Sequence, residues 1–198
     1  MLHELIEKRY SPRAFSGEPV EEEKIISLLE AARWSPSSMN EQPWRFIVGV
    51  KGKGETFNKI FNTIFELNQV WAQKAPVLIL TVVKEFNDRN KQNNRYAKYD
   101  LGQAIAHLTL QATSLDLYLH QMGGFNPDKA RKLFNIPEGY VPMSVIAVGY
   151  LGNIDTLPEQ LKAREKAKRN RKKLSELVFD ESFGHASRLI GNEEVSVN

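Results

Sequence analysis

The chain has 198 residues, enough for one domain with a substantial core. Hydrophobic residues make up 41% and charged residues 26%, a globular balance that excludes a disordered chain, and the net charge of +3 with pI near 9.0 is only mildly basic. The lack of cysteine excludes disulfides, thiol nucleophiles, iron–sulfur clusters and cysteine-ligated zinc, so redox chemistry here depends on a borrowed cofactor.

A short helix is expected over Leu2–Lys8. Its acidic start lacks the basic-then-apolar pattern of a secretion signal, and a cytoplasmic location is expected. No apolar run approaches the roughly 18 residues of a membrane span. Arg9-Tyr10-Ser11-Pro12-Arg13 follows, and Pro12 biases Ser11 to extended backbone, which puts this basic cluster on a loop. A second helix opens at Pro19-Val20-Glu21, with acids in its first turn and Ile25, Leu28, Leu29 and Ala32 on its buried face. Trp34 to Ser38 ends it with turn chemistry.

Trp44–Val50 reads as a strand, Glu55–Leu67 as a helical segment, and Val77–Val83 as a buried strand. The longest helix is expected from Asn94 to His120, apolar around much of its circumference, and Gly123-Gly124 breaks the chain after it. Asn126-Pro127 is the N-cap and first residue of a short helix, and Ser144–Tyr150 is a third apolar strand. Leu157–Lys173 is charged and mostly helical, and Leu174–Phe179 reads as a short terminal strand. Helices interspersed among few strands indicate an α+β fold in a single domain over residues 1–198. A tail from about residue 153, too short for its own core, points to exchange with a partner subunit.

Dinucleotide, P-loop, zincin and nucleophile-elbow motifs are all absent. His3, His107, His120 and His185 share no metal-ligand spacing, and no metal is expected. His107 and His120, both on the expected long helix, read as core or helix-end histidines. The basic run Lys162–Lys173 has no aromatic residue, which argues against nucleic acid.

Three segments supply what a phosphorylated planar cofactor needs. Arg9-Tyr10-Ser11 and Arg13 bring two guanidinium groups and a hydroxyl within five residues; alone they read more readily as a solvated basic loop. Ser35-Pro36-Ser37-Ser38-Met39-Asn40-Glu41-Gln42 is a polar turn whose short side chains let backbone approach a flat ligand, or an ordinary helix–strand loop. His120-Gln121-Met122-Gly123-Gly124-Phe125 offers glycine backbone N–H groups, or a helix stop.

In order and spacing these segments, with Arg169-Asn170-Arg171 near the end, resemble the FMN-dependent nitroreductase family over nearly the whole chain. The resemblance implies a three-layer α+β fold whose central, mostly antiparallel sheet is flanked by helices. It implies a homodimer with FMN at the interface and the C-terminal arm exchanged. By the same resemblance, Arg9, Tyr10 and Ser11 hold the phosphate and ribityl chain, and Arg13 sits at the pyrimidine edge. Pro36, Ser37, Ser38 and Asn40 line the flavin from the other subunit, Gly123 and Gly124 face N5/O4, and Arg169 and Arg171 complete the phosphate clamp. NADH or NADPH is the implied donor, with ping-pong hydride transfer to a small electron-poor acceptor such as a nitroaromatic or quinone. Two departures stand out: Asp116 and Tyr118 replace glycines of many members, and Lys173 replaces a tail proline. Two other readings remain: a flavin-dependent dehalogenase or oxidase with Glu85–Lys98 as lid, and a non-enzymatic module binding an acidic partner through Lys162–Lys173.

Overall fold

The structure, a computed structural model, describes residues 1–190; residues 191–198, the end of the expected arm, lie outside the described residues. The chain divides into two compact units, Met1–Glu165 and a second beginning at Lys166.

The first unit is built on β1 (Trp44–Val50), β2 (Val77–Lys84), β3 (Tyr118–Met122) and β4 (Tyr140–Gly149). They form one sheet of order β1-β2-β4-β3, with every neighbouring pair antiparallel. Side chains alternate across the central strand and separate two cores. Leu78, Leu80 and Val82 face one core with Phe57, Ile60 and Trp71. Val77, Ile79 and Val83 face the other, with Leu28, Leu101 and Leu108. The register shift opposite Thr81 and Val82 lies on β4, whose Val145 and Ala147 face the first core while Val141 and Met143 pack against the second. On the first face lie α3 (Thr56–Phe61), α4 (Glu66–Ala72) and α6 (Pro127–Phe134); on the second lie α2 (Glu22–Arg33) and α5 (Ala97–Ser114). The result is the expected α+β arrangement of sheet between helix layers. Among the described residues, no helix is long and apolar enough to cross a membrane.

Four boundaries differ from the sequence reading. The expected Asn94–His120 helix stops at Ser114, because Asp116 turns left-handed at φ 59° and the Leu117 amide reaches back to Ala112. The following residues form β3, so His120 and the glycine pair belong to a strand and its exit, not to a helix end. The expected Glu55–Leu67 helix splits because Thr63 Oγ1 bonds the Ile60 carbonyl and Ile64 bridges to Phe125. The helix expected over Leu157–Lys173 is confined to α7 (Glu159–Lys166), and Ile154, Leu157 and Leu161 pack on the first core. At the N-terminus, α1 (Glu4–Lys8) is capped by the His3 side chain.

In the second unit, the terminal strand expected at Leu174–Phe179 does not form. Leu174–Glu176 is a 3-10 turn: the Glu176 carboxylate accepts the Lys173 amide at 3.0 Å, and the Leu177 and Val178 amides return to Leu174. Among the described residues of this unit, Phe179 makes the one bridge, to Ala186.

Candidate functional site

Two of the three candidate segments meet in the first unit. The Arg9–Arg13 loop leaves α1 at Arg9, whose amide closes the helix onto Leu5. Pro12 is buried and its carbonyl receives His120 Nδ1 at 2.9 Å, tying the loop to β3 three residues before the glycine pair. The His120 ring lies 4.4 Å from that of Trp71. Burial, with the nearby Arg13 charge, lowers the imidazole to about 4, so it is neutral near pH 7 and donates from Nδ1 to the carbonyl. Of the two alternatives, core or helix-end histidine, this half-buried, hydrogen-bonded environment matches the first, and its element is a strand.

Asp116 and Tyr118, which depart from the family's glycines, contact α1 and the same loop. Lys8 pairs with Asp116, which lowers the carboxyl pKa through the hydrogen bond, and Tyr10 meets Tyr118 edge-on at 5.3 Å. The positive φ at Asp116 explains why glycine suits this position. Arg13 is half-buried, and its backbone amide and guanidinium both engage Glu165 of α7, a residue that no local pattern in the sequence singles out.

Gly123 and Gly124 follow β3. Among the described residues neither amide donates to a protein acceptor, whereas the Gly124 carbonyl accepts the Phe65 amide at 3.0 Å. A groove of about 540 Å³ beside this turn is lined by Phe65, Glu66, Leu67 and Lys129 among others, none of them anticipated from the sequence.

The third segment lies elsewhere. Ser38–Asn40 forms a 3-10 turn, and Met39 and Asn40 within it and Gln42 just after it hold φ of 53°, 56° and 45°. Such clustered left-handed residues persist only where surroundings fix them. Here the Gln42 amide bonds Ser37 Oγ, and the Ser38 amide bonds Asp100 Oδ2 at 3.0 Å. Pro36 is exposed, while Ser35 is buried with its Oγ unpartnered. Asp100 stands in the first turn of α5 and Asp116 just beyond its last. At about 1.5 Å per residue, roughly 24 Å of helix separates the anchor of the polar turn from that of the basic loop. One chain thus holds two segments together and the third apart.

The stretch Glu85–Lys98 is a short closed excursion, with Phe86 bridged to Asn93 and the Asp88 amide on Glu41 of the polar turn. Arg169 and Arg171 belong to the second unit, where Arg171 bonds Asn170 through its amide and guanidinium. In that unit Asp180, Glu181 and His185 place ligand atoms within 4.8 Å of one another, but Arg188 already engages both acids.

The Nitroreductase family model matches residues 6–70 and 53–150. An uncharacterized 15.4 kDa protein of Mycolicibacterium smegmatis is 34% identical over 148 residues, covering 71% of this chain and 98% of the relative. A putative NADH dehydrogenase/NAD(P)H nitroreductase of Methanothermobacter thermautotrophicus is 31% identical, covering 74% and 75%. A crystal structure described as an oxidoreductase containing FMN superposes with a TM-score of 0.87 at 31% identity, over 92% of this chain and 93% of that one. The matched residues span β1 to β4 and with them all three candidate segments of the first unit: the chain belongs to the nitroreductase family.

Proposed function

We propose that this chain is an FMN-dependent NAD(P)H oxidoreductase that works by a ping-pong cycle on a small electron-poor acceptor, a nitroaromatic or quinone. The observation that carries the reading is the joining of the basic Arg9–Arg13 loop to the Gly123-Gly124 turn through the His120–Pro12 bond. It brings anion-binding groups and unpaired amide donors into one neighbourhood. Relatives named FMN reductase [NAD(P)H] and NAD(P)H nitroreductase support the same chemistry.

The residues present fit such a cofactor. Gly123 leaves open space where a side chain would stand, and its amide and that of Gly124 are free to donate. In this reading Arg9, Tyr10 and Ser11 hold the phosphate and ribityl chain, with Arg13 at the pyrimidine edge. Arg169 and Arg171 are proposed to complete the phosphate clamp. Bound FMN supplies the two-electron carrier that no side chain here provides. Gly123 and Gly124 fix the orientation of its reacting edge, and the Arg13 guanidinium stabilises negative charge that gathers on reduction.

The separation of the polar turn supports a homodimer, in which Pro36, Ser37, Ser38 and Asn40 of one subunit reach the site of the other. Exposed apolar side chains near α2 and α5, including Ile26, Trp34, Met39 and Tyr99, support burial against a second copy. A cytoplasmic location fits this assembly.

The test is the visible spectrum of purified protein mixed with FMN, before and after anaerobic NADH and then NADPH. Bound flavin bands that bleach with either nucleotide are expected. A protein that leaves added FMN unbound refutes the reading; bound but unbleached bands remove NAD(P)H as donor and favour the dehalogenase or oxidase chemistry.

A further inference from the structure

We propose that Glu165 is a positioning residue for Arg13, fixing its backbone and guanidinium and setting the net charge it presents to the cofactor; this rests on the FMN reading above. Glu165 lies on α7, 152 positions from Arg13 in the chain. Its two carboxylate oxygens accept the Arg13 amide at 3.0 and 3.2 Å, and Oε2 lies 3.6 Å from the guanidinium Nη1. The Glu165 side chain is 2% exposed and that of Arg13 24%. One acid therefore grips the backbone and the side chain of the same residue.

A carboxylate so shielded from water needs donors that compensate its lost hydration, and Arg13 supplies them. Holding the loop backbone alone asks only for an acceptor, which an amide oxygen could provide. A carboxylate adds a full negative charge on the inner side of Arg13, where screening by solvent is weak. The guanidinium keeps its fork for hydrogen bonding, but its field at any ligand beyond it is partly cancelled. Glu165 thereby moderates the preference of the site for reduced, more negative FMN over the oxidised form. The anchoring of α7 by Leu161 on the first core keeps this acid in place.

The experiment compares wild type with Glu165→Gln, Glu165→Ala and Glu165→Asp. For each, the affinity for oxidised FMN, the two-electron potential of the bound cofactor and the unfolding temperature are measured. If charge is what matters, the Gln and Ala variants favour reduced over oxidised FMN by about tenfold more than wild type. That is about 30 mV more positive for a two-electron couple. The Asp variant retains the wild-type potential, whatever its stability. Wild-type potentials in the Gln and Ala variants overturn the proposal, as does a shift in Asp and Ala but not Gln, which marks a purely structural fastener. With either Gln or Ala folded, the comparison with Asp still decides. A wild-type protein that binds no FMN refutes the cofactor reading itself, an outcome distinct from bound FMN with an unmoved potential.

Discussion

The Asp100 carboxylate accepts the Ser38 amide at 3.0 Å while only 2% of the aspartate is exposed, so a buried acid on α5 holds the entrance of the strained polar turn. Three left-handed non-glycine residues within the next four positions each cost about 1–3 kcal/mol, which surrounding contacts must offset. Asp100→Ala is expected to lower stability by about 2–4 kcal/mol, since it frees the turn and leaves a partly buried amide unpaired. Asp100→Asn keeps an oxygen acceptor and loses about half as much. Urea unfolding measures both, and hydrogen exchange at Ser38 should accelerate in the alanine variant. Wild-type stability in Asp100→Ala would show that the turn is held by other contacts.

The His120 bond to Pro12 gives the protein a defined acid sensitivity. The folded imidazole titrates at about 4, against an ordinary value near 6.5. Above pH 6.5 both folded and unfolded histidine are neutral, so the group adds no pH dependence. Between about 6.5 and 4 the unfolded chain binds the proton that the folded one excludes, and stability falls as pH falls, by up to about 3 kcal/mol. Below about 4 the loss levels off. His120→Asn, with its amide placed to donate to Pro12, should flatten this part of the stability–pH curve. An unchanged slope between pH 6.5 and 4 in His120→Asn would assign the acid sensitivity elsewhere.

Much of this frame was legible in the sequence, for reasons particular residues make plain. The apolar, β-branched run Val77–Val83 has no polar face, and it became the strand buried between two cores. The glycine pair and the Arg9–Arg13 cluster announced themselves by composition. What stayed hidden is β3: Leu115 and Leu119 continue a helical spacing, while Leu117 and Leu119 equally fit strand alternation. Only the left-handed Asp116 decides between them, and its side chain gives no local sign of that. The anchors of the site were hidden for another reason. Asp100, His120 and Glu165 act on partners 62, 108 and 152 positions away, contacts made by topology.

Lys84 and Asp88 offer a test of how the short excursion after β2 is held. The Lys84 side chain is 2% exposed, pairs with Asp88 and lies with Nζ 4.9 Å from the Phe86 ring centre. Its hydrogen bond keeps the Asp88 carboxyl below its usual range. Lys84→Met retains the packed stem and removes the buried charge, so its stability should stay within about 1 kcal/mol of wild type. Asp88→Ala instead leaves the ammonium buried without its partner and is expected to be the more destabilised of the two. Thermal unfolding of both variants checks the order, and the reverse order would mean that the pair contributes through attraction rather than through compensation of burial. The carboxyl pKa also predicts a sign: the contribution of the pair is present above the ordinary aspartate value and is lost as pH falls through the depressed one.

Two glycines separate the needs of the fold from those of the site. A Cβ at Gly49 would stand 2.6 Å from the Phe57 backbone nitrogen and Cα, where α3 crosses β1. Backbone cannot swing aside as a side chain can, so Gly49→Ala is expected to cost about 2–4 kcal/mol of stability. At Gly123 a Cβ meets nothing within 4 Å, and φ is not left-handed. The free protein therefore tolerates Gly123→Ala, with stability within about 1 kcal/mol of wild type. Only a ligand seated against the turn can object to that methyl group. If FMN lies there, the substitution weakens its retention by about tenfold or more, as loss of a close-fitting contact of 1.4 kcal/mol would. Unfolding curves together with FMN fluorescence titrations distinguish the effects. Undiminished FMN affinity in Gly123→Ala would move the cofactor's reacting edge away from this turn.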